Sequence, residues 1–249
     1  MKGLRAGRSD RLLELDEVER RLKPFGRTYL GVRPIPLDAL VGTDSRATAF
    51  TRDFRPLHSF SRDRLRSLAE AFADGGFPPI VTVKLGEAYF VIDGHHRAAL
   101  ARRGGAEMID ADVTELVARV PLAAGADMLE VVLRELERIF VEDSGLAEAR
   151  PGVRFSVSRP AHYLELLENI QVHGYHMMRG RRRVLENSEI AADWYDAIYQ
   201  PTLAAIDRLR LDRLDQDAPH GDLFLVLHRH RRDAFPRPAA RTSRRPSSR

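Results

Sequence analysis

The sequence predicts an α+β fold, in which a small mixed sheet with helices is followed by a mainly α-helical C-terminal domain. Two patterns support this prediction. Short β-type runs surround one helical segment between residues 80 and 114, whereas the segments after Pro121 repeat their apolar residues at helical spacing. With 249 residues, of which 43% are hydrophobic, the chain is long enough for one large domain or two small ones.

Composition and spacing divide the chain into four segments. Residues 1–27 indicate an N-terminal helical arm, residues 28–120 the α+β domain, and residues 121–234 the helical domain. Residues 235–249, rich in Arg, Pro and Ser, bury too little apolar surface to fold and are expected to be disordered.

Local patterns predict the elements of the first half. Ser61 is suited to cap a helix that ends at Gly75-Gly76, and Gly86-Glu87 is suited to a tight turn. The predicted elements are a helix over 4–23, a strand within 28–41, a helix over 61–74, strands over 80–85 and 88–92, a helix over 95–103 and a strand within 106–114.

The second half is predicted to be helical, with one extended link. Pro201 should kink or break the helix that contains it, because proline lacks the N–H that the helix needs. The predicted elements are helices over 128–141, 160–178 and 188–214, an extended link over 151–158, and a strand or helix over 223–227. Trp194, with Tyr195, Ile198 and Tyr199, is expected to form a helix-packing core.

The most informative stretch is Asp93-Gly94-His95-His96-Arg97, which follows an apolar run and opens the helix predicted from residue 95. A glycine turn at a helix start presents backbone N–H groups and the positive end of the helix dipole to an anion. The guanidinium of Arg97 is suited to bind phosphate through two hydrogen bonds. The alternative is a polar turn in which Arg97 pairs with a neighbouring acid.

The order of elements around this GHHR stretch, from the helix before Pro78-Pro79 to the strand after Gly104-Gly105, resembles the ParB/sulfiredoxin superfamily. The resemblance covers roughly residues 30–118, and Ile35-Pro36-Leu37 is similar to the first strand of that family. The DGHHR stretch itself is similar to the corresponding box of the free serine kinases in this superfamily. Because these proteins bind nucleotides for different ends, the resemblance implies a fold more strongly than an activity.

The resemblance implies that Gly94, His95, His96 and Arg97 contact nucleotide phosphates and that Asp93 orients the loop. It also excludes one reaction and weakens another. The sulfiredoxin cysteine is replaced by His95, so sulfinic-acid repair is excluded, and His96-Arg97 replaces the double arginine of ParB, which counts against CTP-dependent clamping.

Catalysis requires a further group. The kinases of the superfamily use a carboxylate in the loop after the first strand, and Asp44 lies in such a loop, where it is either a general base for phosphoryl transfer or a turn residue beside Gly42. Arg46 and Arg52 are candidates for supplementary phosphate contacts, or they are solvated loop residues. The implied cofactor is a nucleoside di- or triphosphate with Mg²⁺ held mainly by its phosphates.

No dedicated protein metal site is predicted. His95 and His96 are adjacent and point in different directions, and no carboxylate completes a HExxH-like pattern. His173 and His176 would share a helix face, and His228 and His230 would share a strand face. The absence of cysteine excludes disulfides, Cys-ligated metals and thiol nucleophiles.

Charge and hydropathy limit the partners. The C-terminal fifteen residues contain five arginines and no acid, and without these arginines the formal charge falls from +4 to −1. A nearly neutral body gives no global argument for DNA binding. With no apolar run of membrane-spanning length and no signal-peptide pattern, a cytoplasmic protein is expected.

Two functions remain open, beside a third possibility that the domain is a degenerate scaffold with no ligand. The first is a nucleotide-binding protein that acts as an ATP/ADP- or CTP-dependent phosphotransferase or nucleotide hydrolase. The second is a non-enzymatic, DNA-associated regulator of ParB type, with the nucleotide as a switch and the arginine tail bound to phosphates. Independently of this choice, DNA, a protein and a second copy of the chain are candidate partners. The helices after Pro121 lack a short glycine-containing turn followed by a polar recognition helix, which counts against the second function.

Overall fold

The computed structural model describes residues 11–45, 47–55, 57, 78–210 and 218–234, and for residues 231–234 it describes the backbone only. The helix predicted over 61–74, the residue Arg46 and the basic tail lie outside these described residues. The chain divides into two compact units, one ending at Val141 and the other beginning at Glu142. The α+β class predicted from the sequence is confirmed.

The described part of the first unit is built on a six-stranded mixed sheet in the order β1-β3-β5-β4-β6-β2. The central strand β5 runs parallel to β3 and antiparallel to β4. Strand β4 runs parallel to β6, which pairs antiparallel with β2. The strands are β1 (Leu13–Glu14), β2 (Gly26–Pro36), β3 (Leu40–Thr43), β4 (Ile80–Leu85), β5 (Ala88–Asp93) and β6 (Met108–Val117). This pattern confirms the hairpin predicted around Gly86-Glu87.

Alternate residues of each strand point to opposite sides of the sheet. Apolar side chains therefore lie on both faces, and each face is covered by helices. The α-helices in the described part of this unit are α1 (Leu15–Leu22), α2 (His95–Arg103) and α3 (Met128–Asp143), the last of which extends two residues past the unit boundary. Ala98 and Ala99 of α2 pack with one face, whose members include Ile35, Ile80, Val91, Ile109, Ala111 and Val113. Val18 of α1 and Val131 of α3 pack with the other, whose members include Val41, Val83, Phe90 and Leu116.

The N-terminal helix is shorter than the charge and leucine pattern predicts. Leu13 and Glu14 pair in parallel with Gly42 and Thr43, and the helix begins only at Leu15. Val18 is completely buried in the core beneath the sheet. Over the described residues this segment is therefore integrated into the first unit, because its leucine side supplies the apolar surface that one sheet face requires.

The described part of the second unit is helical. Its α-helices are α4 (Leu146–Ala149), α5 (Pro160–Arg181), α6 (Asn187–Trp194), α7 (Gln200–Leu209) and α8 (His220–Ala234). The segment over 223–227, predicted as a strand or a helix, is helical. None of the helices in the described part of the chain combines the length and apolar character needed to cross a membrane.

Pro201 neither breaks nor ends its helix. A π-helical turn, Tyr195–Tyr199, joins α6 to α7, and the N–H of Gln200 donates to the carbonyl of Tyr195. Because proline has no N–H to donate, this wider turn lets the chain continue into α7 with Pro201 in its first turn. The turn also carries Tyr199 into the core against Trp194, whose ring centroid lies 5.1 Å away. Trp194 is fully buried, so the expected packing role is confirmed.

Candidate functional site

The candidate site lies where β5 ends and α2 begins. Gly94 turns the chain with φ +97° and ψ 21°, and its carbonyl accepts the first helical hydrogen bond, from the N–H of Ala98, at 2.9 Å. Gly94, at the N-cap position, has no side chain that could cap this helix start. The first N–H groups of a helix have no partner in a preceding turn, so an uncapped start is suited to receive an anion.

His95 is the buried member of the motif. Its side chain is 3% exposed, and Nε2 lies 2.5 Å from Oγ1 of Thr43, the fully buried last residue of β3. The ring of Phe50 stacks on the imidazole with 5.5 Å between centroids and 22° between planes. His95 therefore joins the helix start to the end of the neighbouring strand.

His96 is half-buried and contacts the same aromatic ring from another side. The Phe50 ring meets the His96 imidazole edge-on, with centroids 5.3 Å apart and planes at 75°. One phenylalanine from the segment after β3 thus contacts both adjacent histidines. This fixes the direction of both rings relative to the helix start.

Arg97 makes three hydrogen bonds within the protein. Its Nη1 donates to the carbonyl oxygens of Pro78 at 2.8 Å and Pro79 at 2.6 Å, and its Nη2 donates to Oδ2 of Asp93 at 2.6 Å. The Arg97 side chain is only 16% exposed, whereas that of Asp93 is 73% exposed. Arg97 thus ties the entry of β4 to the turn, and Asp93 offers its carboxylate to solvent.

Asp44 lies beside this turn. It directly follows β3, its side chain is exposed, and its N–H donates to the carbonyl of Val91 in β5 at 3.2 Å. Since β3 and β5 are adjacent and parallel, their carboxyl ends meet at one edge of the sheet. The structure therefore brings Asp44 and the motif from Asp93 to Arg97 to the same edge, where ligands of open α/β sheets usually bind.

Arg52 has structural contacts of its own. Its Nη2 donates to the carbonyl oxygens of Gly125 at 2.6 Å and Ala126 at 2.7 Å, just before α3. It holds the segment after β3 against the start of α3. Whether Arg52 also contacts a ligand stays a prediction, as does the role of Arg46, which lies outside the described residues.

Three residues that matter for the site were not predicted from the sequence. Thr43 and Phe50 contact the histidines directly, and Arg102 anchors the segment that carries Phe50. The Arg102 guanidinium donates to the carbonyl of Arg52 at 3.3 Å and to that of Leu37, and it lies 5.3 Å from the centroid of the Phe54 ring. A polar residue just after a β-type segment is the sequence signal that Thr43 offers.

Burial lowers the pKa of the Arg102 guanidinium, and the carboxylates of Asp53 and Asp38 oppose that shift. The buried guanidinium also donates hydrogen bonds to backbone carbonyls. A cavity of about 530 Å³ adjoins Arg102, at the C-terminal end of α2 and away from its start. None of the predicted site residues lines this cavity; its walls are Pro36, Leu37, Asp38, Arg102, Ala106, Glu107 and Met108.

Two histidines of α5 contact residues of their own unit. His173 Nε2 lies 2.7 Å from Oδ2 of Asp193, and His176 contacts the ring of Tyr175. The prediction that His228 and His230 share a strand face is wrong, because α8 is a helix and residues two apart point in different directions. Among the described residues, no group of three or more His, Cys, Asp or Glu could hold a metal ion.

Comparison with known proteins identifies a domain in the first unit. Residues 48–126 match the family model of the ParB N-terminal domain. No curated protein sequence matches the chain. The predicted resemblance to the ParB-like superfamily is therefore confirmed over these residues, which include the whole motif from Asp93 to Arg97.

Two solved structures are similar to the chain at low identity. One is the crystal structure of the C-terminally truncated chromosome-partitioning protein ParB from Caulobacter crescentus complexed with CTP-γ-S, with 17% identity, 82% of this chain and 96% of that chain covered, and a TM-score of 0.26. The other is the C2221 form of a Pnob8-like ParB-N domain, with 12% identity, coverages of 85% and 84%, and a TM-score of 0.24. Both scores lie below the value at which two chains share one overall arrangement.

Proposed function

From the ParB-like N-terminal domain that residues 48–126 form, we propose that this protein binds a nucleoside phosphate at the start of α2. The observation that carries the proposal is the uncapped helix start at Gly94, placed where the parallel strands β3 and β5 both end. Backbone N–H groups and the helix dipole attract phosphate oxygens there. The proposal gives the binding role to residues 94–97.

The phosphate is held by the N–H groups of the first turn of α2, with the half-buried imidazole of His96 beside it. His95, buried against Thr43, fixes the helix start, and Arg97 holds the turn through Asp93 and adds positive charge. When Mg²⁺ accompanies the nucleotide, the phosphates of the nucleotide supply most of the ligands of the metal ion. The exposed carboxylate of Asp93 provides a hard oxygen ligand of the type that Mg²⁺ accepts.

Replacing Arg97 with alanine is expected to weaken nucleotide binding by about tenfold or more, because it removes a charge-assisted donor and frees the turn. Isothermal titration calorimetry with ATP, ADP, CTP and GTP, each with Mg²⁺, measures the affinity. Arg103→Ala is the matched control, since Arg103 is exposed at the opposite end of α2 and its loss changes the net charge equally.

Two results would contradict the binding proposal in different ways. If the unmodified protein binds none of the four nucleotides, the site does not hold a nucleoside phosphate. If Arg97→Ala and Arg103→Ala bind equally well, the nucleotide occupies another part of the chain.

Phosphoryl transfer is a second candidate function, favoured by the position of Asp44 at the same edge as the motif. In this reaction the Asp44 carboxylate accepts the proton of a water or hydroxyl group, whose oxygen bonds to the terminal phosphorus. The bond from that phosphorus to the bridging oxygen breaks, and the shortened nucleotide leaves with the electron pair. Substrate positioning by the α2 start is common to both candidate functions.

Asp44→Asn is expected to leave nucleotide affinity within about threefold of the parent protein and to lower phosphate release by about a hundredfold or more. A coupled phosphate-release assay, run beside calorimetry on the same preparation, separates the two effects. Equal release by the parent and the variant would remove Asp44 from the catalytic role. No release by the parent would favour the non-enzymatic function.

The non-enzymatic alternative is a cytoplasmic, DNA-associated regulator in which the bound nucleotide acts as a switch. The match to the ParB N-terminal domain is the observation that favours it. A regulator of this kind would bind duplex DNA with an affinity that falls steeply as salt rises, because phosphate contacts release counterions. Titration of a labelled duplex at several salt concentrations, with and without nucleotide, distinguishes the alternatives.

A further inference from the structure

The cavity of about 530 Å³ lies at the C-terminal end of α2, away from the motif at the start of that helix. It forms where β2 ends beside the start of β6, strands that pair there through Pro36 and Met108. The N–H of Leu37 donates to the carbonyl of Glu107 at 2.9 Å and joins two of its walls. Sites for small molecules commonly have volumes of about 300–1,000 Å³, so this cavity has the size of a small-molecule site.

Part of the cavity wall is apolar and open to solvent. Pro36, Ala106 and Met108 are exposed, Met108 to 47%. Methionine is flexible and its thioether is polarisable, so it packs against apolar groups of varied shape. An apolar ligand group that lies on these residues leaves water, which favours binding. The wall therefore offers apolar contacts, but these contacts alone do not select a ligand.

Arg102 is the one basic residue among those that line the cavity, and its guanidinium is already engaged. Nη1 donates to the carbonyl of Arg52 at 3.3 Å, and Nη2 donates to the carbonyl of Leu37. An anion that bound both of these nitrogens would have to compete with the carbonyl acceptors. The cavity is therefore poorly suited to an anionic ligand.

Two carboxylates of the wall, those of Asp38 and Glu107, are exposed and accept no hydrogen bond within the described part of the chain. Burial lowers the pKa of the Arg102 guanidinium, and the Asp38 carboxylate opposes that shift, so Asp38 and Arg102 partly balance each other. Glu107 is left without such a partner among the residues of the wall. The negative end of the α2 dipole lies at the same place. These charges favour a ligand with a single positive charge.

We propose that this cavity binds a small organic molecule with one primary ammonium group and an apolar body. The ammonium group pairs with the carboxylate of Glu107, and Asp38 adds attraction at longer range. The apolar body lies on Pro36 and Met108. A primary ammonium is a compact charge with several N–H donors, so it reaches a carboxylate while its chain stays on the apolar wall. The two ends of α2 thus take ligands of opposite charge.

Three probes of equal chain length test the charge preference: hexylamine, hexanol and hexanoate. In an NMR titration of the isotope-labelled chain at neutral pH, hexylamine should shift the amide signals of Leu37, Glu107 and Met108 saturably, with a dissociation constant of about 1 mM or tighter. Hexanol should bind about fivefold more weakly, because it has the same chain but no charge. Hexanoate should give no saturable shift, because the acids of the wall repel its carboxylate.

Substitutions of the two acids test which carboxylate pairs with the ammonium group. Glu107→Gln keeps the shape and removes the charge, and should weaken hexylamine binding by about fivefold, whereas Asp38→Asn should weaken it by about twofold. The matched control is Glu87→Gln, the same change at an exposed position in the turn between β4 and β5, which should leave binding unchanged. Glu107→Lys should reverse the preference, so that hexanoate binds more tightly than hexylamine. A reversed preference cannot arise from a folding defect.

Three outcomes would overturn the proposal. The first is the absence of saturable hexylamine binding to the parent protein. The second is equal affinity for hexylamine and hexanol, and the third is equal hexylamine affinity of Glu107→Gln and Glu87→Gln. Because no nucleotide is present in these titrations, their result is independent of the function proposed for the start of α2.

Discussion

Alanine at position 94 is expected to lower the free energy of unfolding by about 3 kcal/mol and to abolish nucleotide binding. Gly94 adopts φ +97°, which costs a residue with a side chain about 1–2 kcal/mol. A Cβ there would also lie 2.5 Å from Cγ2 and 2.9 Å from Cβ of Ile80. Because Ile80 is completely buried in β4, it cannot move aside, and the turn and the start of α2 must shift.

Gly105→Ala is the matched control for this variant. Gly105 also has a positive φ, +77°, but a Cβ at that position meets no atom within 4 Å. Gly105→Ala should therefore lower the free energy of unfolding only by the cost of a positive φ for alanine, about 1–2 kcal/mol. Urea unfolding of both variants measures the difference, which reports the contact with Ile80. Equal losses in the two variants would show that the close packing of Gly94 on β4 adds nothing to stability.

Much of the candidate site could be predicted because its signals are local. An apolar run, a glycine and a helix-forming segment follow one another within a few residues, and each constrains the next through backbone geometry. The start of α2 at His95 and the strand that ends at Asp93 both lie where that pattern predicts them. The role of the motif in binding stays a prediction.

The side-chain partners of the motif could not be predicted in the same way. Thr43 and His95 are 52 positions apart in the sequence, and the identity of one residue does not predict contact with the other. Arg97 donates to the backbone carbonyls of Pro78 and Pro79. Because every residue has a backbone carbonyl, residue types do not predict which carbonyl accepts such a hydrogen bond. An arginine beside a glycine turn indicates an anion site, but only three-dimensional packing shows which acceptors already surround its guanidinium.

Short apolar runs were ambiguous for a related reason. The LFLVL segment over 223–227 suits a strand or a buried helix equally, and its length of five residues does not decide between them. Tertiary packing decides in favour of α8, where Phe224 is buried against Trp194. The same aromatic core includes Tyr199, the last residue of the π-helical turn that precedes Pro201.

Thr43→Val is expected to lower the free energy of unfolding by about 2 kcal/mol, because valine fills the same volume but cannot bond to the buried imidazole of His95. Thr43 is fully buried and ends β3, so no water replaces the lost hydroxyl. If this bond positions the start of α2, the variant should also weaken nucleotide binding, by about tenfold. Thr43→Ser keeps the hydroxyl and should recover most of the affinity, although it loses a methyl group from the core.

The control is Thr82→Val, which makes the same chemical change at a position of the same sheet that is also buried. The hydroxyl of Thr82 lies 3.5 Å from the carbonyl of Asp112, at the outer limit of a hydrogen bond. Thr82→Val should therefore lower the free energy of unfolding by less than Thr43→Val does, and it should leave nucleotide affinity unchanged. NMR of the imidazole nitrogens gives an independent measure, since only loss of the Thr43 hydroxyl should shift the His95 signals. The prediction is contradicted if Thr43→Val and Thr82→Val have the same stability, the same nucleotide affinity and the same imidazole signals. In that case the stacked ring of Phe50, rather than the Thr43 hydroxyl, holds His95, and the segment after β3 positions the site.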